Sequence, residues 1–167
     1  MWRPRRPQDG LTLIELGIAL AILAILATLA VPEIGRFLAR SKLQATAEQL
    51  ALAMSEARFD AARRGQTLHL TVEDGARWCW SVSAQPGCGC REPLPCQEHR
   101  SAHGRNGPVR IDEGLRLSFA PSADARLTPA AVNLSTAFGD RLQVRLTPMG
   151  RARVCAPQGG HGAMPGC

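Results

Sequence analysis

Glu15 is a carboxylate in a stretch that is otherwise apolar, and this position demands a chemical explanation. Residues 11–31 read LTLIELGIALAILAILATLAV, in which Glu15 is the only charged side chain. An unpaired carboxylate in hydrocarbon is costly, so Glu15 needs a cationic partner. A cut after Gly10 would make Leu11 a new α-amino terminus, one helical turn from Glu15 or within reach of the Glu15 of a neighbouring subunit. The pattern therefore indicates charge pairing that sets the register between subunits.

A second set of residues with a defined chemistry is the arginine-rich segment RLQVRLTPMGRARVC, residues 141–155. Alternation predicts two strands with apolar side chains on one face, joined by a turn in which Gly150 takes a positive φ. The opposite face is expected to carry Arg141, Arg145, Arg151 and Arg153. Such a surface binds phosphates of double-stranded DNA, whereas a solvated strand edge with protective arginines is the alternative. The chain has no Tyr and few aromatic residues, which argues against stacking on single-stranded bases.

The cysteines allow either metal binding or disulfide formation. Cys88, Cys90 and Cys96 precede His99 and His103 with a spacing that suits a tetrahedral zinc site. The total of six cysteines is even, which favours disulfides in an exported protein. We expect bridges without metal or cofactor, and the pair that we predict is Cys155–Cys167. The pairing of the other four, which include Cys79, stays open.

The apolar run itself predicts a membrane-spanning helix. Its 21 residues would form a helix about 31 Å long, close to the thickness of the bilayer hydrocarbon. Arg3, Arg5 and Arg6 precede it, so the short N-terminal end is expected in the cytoplasm and the rest outside. The run is longer than the apolar region of a secretory signal peptide, which indicates a retained anchor in contact with membrane lipid.

Two periodicities follow the membrane segment. Apolar residues recur every three or four positions up to Gly65, which predicts an amphipathic helix, interrupted near Pro32, whose stripe packs on a sheet. The stripe comprises Leu43, Ala47, Leu50, Met54, Ala57 and Ala61. A period of two then predicts one antiparallel sheet from strands at 67–72, 77–82, 109–111, 115–120, 131–134, 141–146 and 151–155. Residues 84–108 are interpreted as a long Cys-rich surface loop, and Trp78 and Trp80 as sheet core.

Gly10, the run LTLIEL with Glu15, the apolar helix and Pro32 resemble the class III leader and N-terminal helix of type IV pilins and type II secretion pseudopilins. The resemblance implies that a prepilin peptidase cuts between Gly10 and Leu11 and methylates Leu11. Leu11 stands where the family usually has Phe. Glu15 and Pro32 would then serve filament assembly.

The segment SEARFDAARRGQTLHL resembles the helix-to-strand junction of the GspH/FimT family. GRAR at 150–153 is similar to the GRxR motif with which FimT-type minor pilins hold DNA during uptake. The resemblance implies an α+β, pilin-like fold with a long kinked transmembrane helix on a small antiparallel sheet domain. It divides the chain into a leader (1–10), an assembly helix (11–31), an amphipathic continuation (32–65) and a β-rich exported domain (66–167).

The sequence therefore predicts a minor pilin or pseudopilin, a structural protein and not an enzyme. Its expected partners are the prepilin peptidase, other pilins, double-stranded DNA and exported proteins. One alternative is a tip pseudopilin of type II secretion without DNA binding. Another is a membrane-tethered zinc or thiol protein built on residues 84–108.

Overall fold

One long helix precedes two small antiparallel sheets. The computed structural model describes residues 12–91, 99–104, 107–122, 128–159 and 164–167. Helix α1 spans Leu13–Arg64. The strands in these ranges are β1 (Leu68–Glu73), β2 (Cys79–Ser83), β3 (His99–His103), β4 (Val109–Ile111), β5 (Leu115–Phe119), β6 (Ala130–Thr136), β7 (Arg141–Leu146) and β8 (Ala152–Cys155). The chain divides into two compact units, Met1–Phe37 and Leu38–Cys167.

In the first unit, α1 begins at a capped end, and its residues 16–31 carry no charged side chain. The Thr12 hydroxyl accepts a hydrogen bond from the Glu15 backbone N–H at 3.2 Å. Glu15 is thereby the third helical residue of a Thr-x-x-Glu start, where an acidic side chain suits the positive helix end. The helix is long and apolar enough to cross a membrane. Its large apolar side chains are exposed, so this segment requires an apolar environment.

Pro32 lies inside α1 without ending it. The expected interruption near Pro32 is wrong, because the helix is continuous from Leu13 to Arg64. Proline removes one backbone donor and crowds the preceding turn. The long helical stretches on both sides keep their own hydrogen bonds and maintain the helix through this position.

In the second unit, the apolar stripe of α1 faces the core, as predicted. All six stripe residues are buried: Leu43, Ala47, Leu50, Met54, Ala57 and Ala61. They share one core with apolar side chains of both sheets, which confirms packing of helix on sheet. The helix ends where Gly65 adopts a φ of +65° and the Gln66 N–H bonds to the Ala61 carbonyl at 3.3 Å. A glycine just past the last helical residue commonly forms such a left-handed cap.

The strands form two sheets and not the single sheet that the sequence suggested. The first has the order β3-β2-β1-β5 and the second β4-β6-β7-β8, with antiparallel pairing throughout. Backbone hydrogen bonds between Gly75 and Ile111 connect the region after β1 to β4. Residues 84–108 also differ from the prediction of a loop, since β3 lies within them and pairs with β2.

One tryptophan just before β2 and one within it lie in the core. Trp78 and Trp80 are buried, and their rings stack with centroids 5.0 Å apart. The Trp78 indole N–H donates to the Val109 carbonyl at 3.0 Å, so the polar atom of this side chain is satisfied. Their predicted role as sheet core is confirmed.

Candidate functional site

The arginine face consists of the exposed side chains of Arg141, Arg145, Arg151 and Arg153 on and beside the second sheet. Two of them belong to β7. Leu142, Val144 and Leu146 are buried in the core, while Arg141 and Arg145 are exposed. Successive side chains of a strand point to opposite faces, so both guanidiniums extend from the outer face of the sheet. The predicted alternation of this strand is confirmed.

Strand β8 adds a third arginine to this face. Arg153 is exposed and lies directly opposite Arg145 in the β7–β8 register. Cross-strand neighbours have Cβ atoms about 5 Å apart, and like charges in this position repel each other. The Arg145 Nη1 donates to the backbone O of Cys167 at 3.1 Å. A phosphate bound between the two guanidiniums would offset their repulsion.

The turn between these strands positions Arg151 and Gly150. Arg151 is exposed and lies just before β8, and its N–H donates to the Thr147 hydroxyl at 3.1 Å. Gly150 has a φ of +78°, as predicted. It is buried, and a Cβ atom there would lie 2.6 Å from Cζ of Arg58 and closer still to its Nη1 and Cδ. Gly150 therefore serves the backbone turn and the close approach of a helix side chain.

The acids beside the arginine face, Asp112 and Asp140, are bonded to groups other than its arginines. In the part of the chain that the structure describes, none of its four arginines pairs with an Asp or Glu side chain. Asp140, the acid nearest in sequence, binds Arg40 with an N···O distance of 2.7 Å. The guanidiniums of Arg141, Arg151 and Arg153 are thus available to an external anion, whereas Arg145 also donates to Cys167.

A disulfide holds the C-terminal segment beside the arginine face. Cys155 and Cys167 are bonded, which confirms the predicted pair. The Ala156 N–H donates to the Pro165 carbonyl at 2.9 Å, and the Cys167 N–H donates to the Ala156 carbonyl at 3.1 Å. This segment borders a groove of about 650 Å³ that Arg145 and Arg153 also line.

The cysteines near β2 are oxidised and do not form the zinc set considered from the sequence. Cys79 bonds to Cys90, and Cys88 is also disulfide-bonded. Glu73, which lies beside the Cys79–Cys90 sulfurs, is paired with Arg91 at 2.8 Å. Since zinc needs thiolate sulfur, these bonded cysteines are not available to it. Cys96 lies outside the described residues.

The processing and assembly residues proposed from the sequence lie near the start of the chain. Gly10 and Leu11 fall outside the described residues. Glu15 and Pro32 are exposed on α1. Sequence reasoning missed Thr12, although the Thr-x-x-Glu pattern is a recognised helix start. It also missed Arg58, whose approach to Gly150 has no local sequence signal.

Comparisons with known proteins agree with this architecture. Residues 5–31 match the family model of the prokaryotic N-terminal methylation motif. Two crystal structures of the type IV minor pilin FimU from Pseudomonas aeruginosa strain PAO1 share the fold. One has a TM-score of 0.51 at 17% identity and covers 67% of this chain and 91% of FimU. The other has a TM-score of 0.52 at 18% identity and covers 71% and 91%.

No curated protein sequence matches the chain significantly. Residues 46–155, which include most of the second unit, match the family model of the type II transport protein GspH. Because this match covers more than half of the chain, the protein belongs to the GspH family.

Proposed function

We propose that the protein is a minor pilin or pseudopilin whose second sheet binds double-stranded DNA. The observation that carries DNA binding is the direct juxtaposition of Arg145 and Arg153, with Arg141 on the same exposed face and Arg151 in the adjoining turn. This arrangement places cations where they repel each other unless an anion lies between them. Duplex DNA supplies closely spaced phosphates, and contact with its backbone needs no aromatic platform.

The proposed role in a filament rests on the N-terminal helix. Its exposed apolar surface and the methylation motif support insertion in the inner membrane, processing by a prepilin peptidase and assembly with other pilins. In this proposal the peptidase cuts after Gly10 and methylates Leu11, and Glu15 pairs with an α-ammonium in the assembled filament. The second unit then lies outside the cytoplasm, where its disulfides are stable. The protein acts as a structural and binding subunit, not as an enzyme.

Binding is tested with residues 38–167, which contain all of the core residues as a compact unit. The native fragment and the Arg151→Ala/Arg153→Ala variant are titrated against duplex DNA at two salt concentrations. We expect salt-sensitive binding that the double substitution abolishes while the circular dichroism spectrum is unchanged. A matched control is Arg77→Ala/Arg116→Ala, which removes the same charge from exposed positions outside the hairpin.

The outcome separates two roles. If the native fragment does not bind DNA even at low salt, the arginines form an ordinary polar face and a type II secretion pseudopilin becomes the better interpretation. Equal loss in the arginine-hairpin variant and the control would also contradict a built site, because net charge alone would then explain binding.

Processing is tested in the full-length chain expressed with a prepilin peptidase. We expect mass spectrometry to find an N-methylated Leu11 at the start of the mature protein and no processing of Gly10→Glu. Glu15→Leu is expected to be processed but excluded from filaments, whereas Glu33→Gln, its control on the same helix, assembles. Assembly of Glu15→Leu at the native level would contradict the charge-pairing role.

A further inference from the structure

Strand register brings a further arginine onto the arginine face. Arg110 on β4 pairs with Ser135 on β6, and Ser135 pairs with Arg141 on β7. Paired residues point to the same side of a sheet, so these three form a row across the outer face. Arg110 is exposed between buried Val109 and Ile111, which confirms its orientation.

A second row lies further along the same strands. Ala131 pairs with Arg145, and Arg145 pairs with Arg153. Arg145 is four positions after Arg141, which places the two rows about 13 Å apart at about 3.3 Å per residue. Within the first row, Arg110 and Arg141 are two strands apart, or about 9.6 Å. Arg141 and Arg145 thus lie near the two ends of β7, with Arg110 on edge strand β4 in the first row and Arg153 on edge strand β8 in the second.

The centre of this face carries two amide side chains and one carboxylate. Asn133 and Gln143 lie opposite each other, and the Gln143 amide donates to Asn133 Oδ1 at 2.8 Å. No Asp, Glu or aromatic side chain comes from the outward positions of β4, β6 and β7, all of which the structure describes. Asp112 follows β4 directly. Its N–H donates to the Asn133 carbonyl at 2.9 Å, and its carboxylate accepts from the Ser135 hydroxyl at 2.5 Å, so one acid lies beside the first row.

We infer that Arg110 is part of the DNA-binding surface and that the two arginine rows hold the two phosphate backbones on either side of a groove of duplex DNA. This inference rests on the proposed function. The spacing of the rows is close to the width of the major groove, about 12 Å. A face without aromatic side chains offers nothing for unpaired bases to stack on, so duplex is bound in preference to single strand. The central amides bond to each other, and recognition is therefore of the backbone with little dependence on sequence.

The test measures the dissociation constant of fragment 38–167 for duplex and single-stranded DNA of one length over a range of salt concentrations. Each phosphate contact contributes about 0.9 to the slope of log affinity against log salt. Arg110→Ala is expected to reduce the slope by about 0.9, equivalent to about eightfold weaker binding at about 0.1 M salt. Arg110→Lys is expected to retain most of the slope.

The matched control is Arg116→Ala. Arg116 is an exposed strand arginine like Arg110, but it belongs to β5 of the first sheet. Its substitution removes the same charge and is expected to leave the slope unchanged. If Arg110→Ala binds like the native fragment, or no more weakly than Arg116→Ala, the inference is wrong.

The proposed function and this inference fail in different ways. Loss of binding in Arg151→Ala/Arg153→Ala with native binding in Arg110→Ala would restrict the site to the hairpin and overturn only the inference. Tighter binding of single strands than of duplex would overturn the two-row arrangement. Absence of binding by the native fragment at low salt would overturn both.

Discussion

The substitution Gly150→Ala tests whether the glycine of the GRAR segment is a structural residue. Its φ of +78° is a left-handed conformation that costs a residue with a Cβ atom about 1–2 kcal/mol. Alanine also restricts the unfolded chain, which offsets about 0.4–1 kcal/mol of that cost. The new methyl group must in addition displace the Arg58 side chain, because it would lie 2.6 Å from Cζ. Moving a side chain off its rotamer costs about 0.5–1.5 kcal/mol.

Gly139→Ala is the matched control for this substitution. Gly139 has a φ of +87°, also in the left-handed region, but no atom lies within 4 Å of a Cβ built there. The difference between the two variants therefore isolates the contact with Arg58. We expect Gly139→Ala to lower the free energy of unfolding by about 1 kcal/mol. For Gly150→Ala we expect a further loss of about 1 kcal/mol.

The assay is urea unfolding of fragment 38–167 with its disulfides intact, followed by tryptophan fluorescence. An extra loss of about 1 kcal/mol lowers the midpoint by about 0.5 M at a typical slope. Adding Arg58→Ala to both variants completes a double-mutant cycle, and the extra loss should then disappear. Equal destabilisation by Gly150→Ala and Gly139→Ala in the presence of Arg58 would refute the packing argument.

Three further substitutions test the core, the disulfide and the exposed ion pair. Leu50→Ala should lower the free energy of unfolding by about 2–5 kcal/mol in the same urea assay, because Leu50 is fully buried. The control is Leu52→Ala, at a position 57% exposed on the same helix, which should change the free energy of unfolding by less than about 0.5 kcal/mol. Cys155→Ser/Cys167→Ser should lower the free energy of unfolding by about 3 kcal/mol, since the bond closes a loop with a sequence separation of 12. An unchanged urea midpoint would contradict this entropic contribution. Arg40→Ala should lower the free energy of unfolding by less than about 1 kcal/mol. This destabilisation should vanish at high salt, because the Arg40 side chain is 70% exposed and its ion pair with Asp140 is screened. A destabilisation that persists at high salt would show that packing of the side chain dominates.

Local periodicity was sufficient to predict the elements that bury a continuous face. The α1 stripe and the alternation of β7 follow from hydrophobic spacing alone, because each buried face repeats along one element. Cys155–Cys167 was also predictable. These features depend on residues close together in the sequence, where chain geometry restricts the alternatives.

The division into two sheets could not be predicted in the same way. It depends on long-range pairing, in which β5 joins β1 while β4 joins β6. Strand β3 has the sequence HRSAH, which shows no apolar alternation, and its pairing with β2 determines its conformation. Arg110 was missed for the same reason, since only the register of β4 and β6 brings it into line with Arg141.

The two disulfides whose cysteines are both among the described residues, Cys79–Cys90 and Cys155–Cys167, connect neighbours along the chain, with separations of 11 and 12. Six cysteines permit about 15 complete pairings, but partners this close meet far more readily than distant ones because loop-closure entropy rises with length. Each of these two bonds can therefore form from cysteines close together in the chain, and neither has to wait for the two sheets to come together.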